Sequence, residues 1–355
     1  MKKAVSVILL ILAVMLFPFS ARAYESSLEE AVARGTGADK LTENGEDLGS
    51  VVPRVIAETV KSVFKNALAF FCSLLGIIML SSLFASLTRL NGENRAGLVY
   101  SFVSVIAVSG VAFSGLRTLF TFAAETLERL CSYMAAFLPV TAALCAAGGS
   151  AFAGVAGSSS LALFLTLAEQ FASKLLFPLL RTGFAVSVAG ALPGDADIRP
   201  AASFLKSTLN WLLAFTFTVF GAVMYFQTTI AAAADSCVFR TVKYASGALI
   251  PVIGSMIGDA ARTVTTAVGS VKSAVGGAGV AALLSLTLPA LIMTAVYRLC
   301  VLASAAAARM LGLERESALL YDINGFLGLL FALIAGTGVI FVLAAALFIR
   351  IGVGE

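Results

Sequence analysis

Histidine is absent from all 355 residues, and charge is scarce: Asp, Glu, Lys and Arg make up only 12% of the chain, against roughly 25% in a soluble domain. The first absence removes the commonest general base, the commonest zinc ligand and the usual partner of a serine or cysteine nucleophile. Cysteine chemistry is thin as well. Cys72, Cys131, Cys145, Cys237 and Cys300 are odd in number, scattered and without CxxC spacing, so they read as core thiols. No GxxxxGK[ST] loop is present, which excludes a P-loop ATPase. Lys272 and Ser273 are adjacent, which puts them on different faces of a helix and argues against a Ser-Lys hydrolase. The net charge of +4 has no concentrated basic stripe, so no nucleic-acid partner is expected. No enzyme, metal site or cofactor is expected on these grounds.

What is abundant is apolar. With 59% hydrophobic residues and a mean hydropathy of +0.98, the chain reads as an all-α, polytopic transmembrane helix bundle, and membrane lipid is its first partner. Lys2 and Lys3, the apolar run from Ala4 to Phe17 and Ala21-Arg22-Ala23 predict a signal peptide over 1–23, cleaved before Tyr24. Residues 24–65 then form a short acidic extracytoplasmic head and an amphipathic helix. In that helix Pro53 suits the first turn, and Arg54, Glu58, Lys61 and Lys65 share one face. The multi-span membrane domain covers 66–350, and 351–355 is a tail.

About seven spans are expected, each long enough to cross ~30 Å of hydrocarbon. Asn66 to Thr88, Ala96 to Leu116 and Ile323 to Ile349 are uncharged and bounded by Arg89, Arg95, Arg117, Asp322 and Arg350; Ser207 to Ala234 and Ser273 to Tyr297 are uncharged too. Cys131 to Ala168 divides at a cluster of glycines and serines around 148–160, either into two spans or as a re-entrant loop. The second of these spans carries Glu169 and Lys174, which should face the protein interior or water. Seven spans put the mature N-terminus outside, with Arg89, Arg95, Arg240, Lys243, Arg262 and Arg350 on the cytoplasmic side.

The amphipathic segment 235–272 interrupts this pattern. Ser236, Arg240, Lys243 and Gly247 recur at spacings of four, three and four, on one face of a helix that ends before Pro251. Gly254 and Gly258 form a small-xxx-small pair, after which Asp259, Arg262, Thr266, Ser270 and Ser273 run down one side of a second helix. Asp259 and Arg262, three residues apart, can neutralise each other. Asp235, Arg240, Lys243, Gly247, Pro251, Gly254, Asp259 and Arg262 are therefore the candidate assembly or pore-lining residues.

The run Asp235-Ser236, Arg240-Thr241, Lys243-Tyr244, Gly247, Ile250-Pro251-Val252-Ile253-Gly254, Asp259-Ala260 and Thr263-Val264 resembles the signature of the stage III sporulation protein AE family of endospore-forming bacteria. The resemblance implies a multi-pass protein of the mother-cell membrane around the forespore. It implies a place in a channel or secretion-like complex needed for late forespore gene expression and spore development. The implied partners are the other stage III sporulation A-operon membrane proteins, including an ATPase and ring-forming subunits, and indirectly the forespore stage II sporulation protein Q. It brings no catalytic residues. The acidic head and the loop from Gly312 to Asp322, with Glu314, Arg315 and Glu316, depart from the pattern. The alternative is a secondary transporter that uses Glu169, Lys174 and the charges beside the helix break at Pro251; no internal repeat supports it.

Overall fold

The structure, a computed structural model, describes residues 48–90, 94–147, 158–159, 162–167, 170, 174, 177–192, 199–249 and 254–350. Among the described residues the fold is carried by α1 Leu48–Leu90, α2 Asn94–Ala147, α3 Phe177–Ala191, α4 Arg199–Leu249, α5 Gly254–Met310 and α6 Glu314–Arg350. Among the described residues there is no strand, and the expected all-α class is the one observed. The predicted signal peptide and acidic head up to residue 47, the glycine- and serine-rich turn at 148–157 and the tail at 351–355 lie outside the described residues.

Among the described residues four helices are long and apolar enough to cross a membrane: Val63–Ser86 within α1, Val99–Ala147 within α2, Gly269–Met310 within α5 and Glu314–Ala346 within α6. The apolar α3 is shorter. The stretches expected at 66–88, 96–116, 273–297 and 323–349 overlap these four, and 207–234 lies inside α4.

The helices overrun the charges that were expected to bound them. Arg117 sits inside α2 and Asp322 inside α6, and Arg298, just past the uncharged run 273–297, sits inside α5. Across 117–129 the sequence RTLFTFAAETLER has no Gly or Pro and is rich in good helix formers, and Arg129 pairs with Glu125 one turn earlier at 3.7 Å. A charge ends a span in lipid, but it does not end a helix. Similarly, the amphipathic stretch after Pro53 and the first span form one continuous helix, α1, which begins at Leu48, before Pro53.

The expected loop from Gly312 to Asp322 is corrected to Leu311–Leu313, since α6 begins at Glu314. Gly312 adopts φ 75°, the left-handed conformation a side chain disfavours. The Leu313 amide then donates to the Ala308 carbonyl at 2.9 Å and the Gly312 amide to the Arg309 carbonyl at 3.1 Å. This is a Schellman termination, with its apolar contact supplied by the buried Leu313. Glu314 and Glu316 fall in the first turn of α6, where the positive end of the helix dipole favours them. The chain therefore turns back at once, and α5 and α6 form an antiparallel hairpin with the most extensive helix contact of the fold.

The other helices assemble on that hairpin. α1 and α2 pack on α5, while α2, α3 and α4 pack on α6. Phe70 of α1 stacks on the fully buried Tyr297 of α5 with ring centroids 5.2 Å apart. A second apolar cluster gathers Leu130 and Met134 of α2, Phe164, Leu283 of α5 and Phe341 of α6. Backbone approach is set by glycine where rings cross: a Cβ at Gly115 would run into Phe70, and one at Gly336 into Phe217 of α4. This is the small-residue packing by which membrane helices associate.

Candidate functional site

Asp235, Arg240, Lys243 and Gly247 fall in the last turns of α4, and Gly254, Asp259 and Arg262 in the first turns of α5. The four-three-four spacing lies in uninterrupted helix, and α4 ends at Leu249, before Pro251 as expected. Pro251 itself and Glu169 lie outside the described residues. Lys174 is exposed. The structure thus delivers the motif as two helix ends joined through residues 250–253.

Two polar assemblies deeper in the fold escaped the sequence reading. In the first, α4 and α5 each send one cation onto α6. The Lys206 Nζ donates to Asp322 Oδ1 at 2.6 Å, with both side chains 25% exposed, and lies 5.9 Å from the centre of the Phe326 ring. The Arg298 Nε donates to Asn324 Oδ1 at 3.5 Å, and the guanidinium lies 5.9 Å from the centre of the Phe331 ring. Both cations settle over glycine. A Cβ at Gly325 would meet Lys206 Cδ at 2.9 Å, and a Cβ at Gly328 would meet an Arg298 terminal nitrogen at 3.2 Å. The sequence Asp322-Ile323-Asn324-Gly325-Phe326-Leu327-Gly328 therefore supplies an acid, an amide and two clearances for basic side chains. A partly buried cation without a partner is costly, and Asp322 supplies one to Lys206.

In the second assembly Glu316, only 3% exposed, enters a junction of α1, α2 and α6. The Ser104 hydroxyl donates to Glu316 Oε1 at 2.6 Å and lies 2.9 Å from Ser81 Oγ. A hydroxyl has one proton to give. Ser81 therefore donates to Ser104 and Ser104 to the carboxylate, a chain aimed at the charge. The Tyr100 hydroxyl donates to the Ser81 carbonyl. Ser317 adds a bond to the Ala305 carbonyl at 2.9 Å, tying the start of α6 to α5.

Sequence could have pointed to the first assembly, because Asp322 and Asn324 stand two residues apart beside a paired-glycine stretch in an otherwise apolar run. The partner positions Lys206 and Arg298, by contrast, lie 116 and 26 residues away in the chain, and only the fold brings them to α6. Among the described residues no three acidic, cysteine or histidine side chains group as metal ligands.

An α-helical chain with several apolar helices of spanning length, joined by polar pairs between helices, is a multi-pass membrane protein. Residues 38–352 match the stage III sporulation protein AE family, and the chain belongs to that family. It is 26% identical over 216 residues to the stage III sporulation protein AE of Bacillus subtilis (strain 168), an alignment covering 59% of this chain and 54% of the relative. No solved structure matches it. A membrane role in sporulation follows from the family.

Proposed function

We propose that the chain is an integral, non-catalytic component of a channel-like sporulation complex in the mother-cell membrane around the forespore, needed for late forespore gene expression. The observation that carries this reading is the family match over residues 38–352. In this reading the signal peptide is removed, about seven spans place the mature N-terminus outside the cytoplasm, and the α4–α5 motif is a contact surface. Arg240 and Lys243, with Asp235 and Asp259, dock another subunit or line a water-filled gap. The partners are the remaining A-operon membrane proteins, among them an ATPase that supplies energy this chain has no P-loop to generate, and ring-forming subunits that reach the forespore protein Q.

The test is affinity purification of a tagged copy from sporulating cells after mild crosslinking, in parallel with deletion of the gene. Recovery of the ATPase and ring subunits, with a block after engulfment in the deletion strain, is the expected result. Recovery of the chain alone, with normal spores from the deletion strain, would overturn the reading. Charge reversal at Lys243 should abolish co-purification while leaving membrane insertion intact. The second reading, a secondary transporter, draws on the ionisable residues in and beside the apolar helices, Arg298 and Asp322 among them.

A further inference from the structure

Arg298 lies deep in the hairpin. The α5–α6 turn, flanked by Arg309, Glu314 and Arg315 and carrying the 89% exposed Met310, is the charged, exposed end of the hairpin, the composition expected where helices leave the hydrocarbon. At 1.5 Å per residue Arg298 is roughly 18 Å along α5 from that turn and Asn324 roughly 15 Å along α6, about the middle of a ~30 Å hydrocarbon core. Lys206, in a neighbouring turn of the same layer, is neutralised by Asp322 at 2.6 Å. Among the described residues Arg298 is not: it has one amide oxygen at 3.5 Å and an aromatic ring, and no carboxylate there pairs with it. A guanidinium offers five N–H donors in a planar fork. Here the fork is held in place over Gly328, whose missing side chain leaves room for it, and Arg298 stays half-buried beside the exposed Leu299 and Leu302.

A charge at this depth calls for a counter-charge at the same depth. Lipid phosphates lie about half a bilayer away, beyond the reach of one arginine side chain. The counter-charge must therefore arrive on a spanning helix. We propose that Arg298 receives a carboxylate carried by a membrane-spanning helix of a partner subunit, docked along the α5–α6 seam at Gly328, where the guanidinium grips it through two parallel N–H donors. This rests on the assembly role proposed above and names the chemistry of one contact in it.

The experiment uses the full-length chain in its sporulating host, with a photo-crosslinking amino acid in place of Leu302, one turn from Arg298. The expected product joins this chain to an apolar peptide of another membrane protein that contains an Asp or Glu. Arg298→Gln should lower its yield roughly tenfold and Arg298→Lys much less, as for loss of a buried ion pair. Replacing the partner's acid by its amide should lower the yield equally while leaving this chain untouched, which guards against a folding defect in the arginine variant. Products formed only with lipid, with the same chain or with a second copy, or a yield indifferent to Arg298→Gln, would overturn the proposal. Normal spores from the deletion strain would remove the assembly role itself. A sporulation block on deletion, with wild-type crosslinks and spores from Arg298→Gln, would remove only the docking site.

Discussion

α6 and α4 are both long, apolar helices, and hydrophobicity alone would not say which lies inside the bundle. α6 is surrounded by α2, α3, α4 and α5. It meets them with buried Leu, Ile and Phe side chains, Phe326 and Phe341 among them, and also with its least apolar residues: Glu316, Ser317, Asp322 and Asn324, and the clearances at Gly325, Gly328, Gly336 and Gly338. α4 turns its largest side chains outward. Phe204, Trp211, Phe215, Tyr225 and Phe226 are all exposed, and Trp211 stacks on Phe215 at 5.4 Å without any partner helix between them. In water the large aromatics would be the core. In lipid they gain little by burial against protein, so polar bonding and close backbone approach decide which helix is central.

The sharpest way to break this contrast is at Asp322. Asp322→Ala leaves Lys206 partly buried without its counter-charge and should cost about 3 kcal/mol of stability, read from denaturant titration in micelles or nanodiscs. The double variant Lys206→Met/Asp322→Leu should recover most of that loss, because neither charge is then left unpaired. If the single substitution leaves stability unchanged, the pair does not hold α4 to α6. Next comes clearance: Gly336→Leu drives a side chain into Phe217 and should destabilise by about 1–3 kcal/mol, whereas the same change at Gly221 of α4, where a Cβ meets nothing within 4 Å, should be tolerated. Ser104→Ala removes the hydroxyl that donates to Glu316 and should cost about 1–3 kcal/mol; comparing it with Ser104→Thr, which keeps the donor, separates the bond from the packing. The smallest effect is expected at Trp211→Leu, within about 0.5 kcal/mol. A large loss there would mean that the outer face of α4 is covered.

Composition and run length were enough for the membrane class and for most of the apolar helices, because hydropathy is summed over many residues and tolerates local error. Helix boundaries were not legible by the same route. Arg117, Arg298 and Asp322 mark the edges of uncharged runs in the sequence but lie inside continuous helices, since a charge with a partner, or one at an exposed turn, need not interrupt the backbone. The motif around Lys243 was legible as a spacing, and it falls in helix as the spacing required. The Lys206–Asp322 and Arg298–Asn324 contacts were hidden for a different reason. Each is a property of two helices meeting, and one sequence read in order carries no record of which helices meet.

The Gly312 turn also has a topological consequence. Since α5 and α6 run antiparallel and are joined by three residues, one crossing by each would bring the start of α5 and the end of α6 out on the same face of the membrane. Gly254, Asp259 and Arg262 would then share a compartment with Arg350. A single reporter placed after Arg350 would then locate both, so the side of the membrane that holds the motif can be read without disturbing any residue of the motif itself.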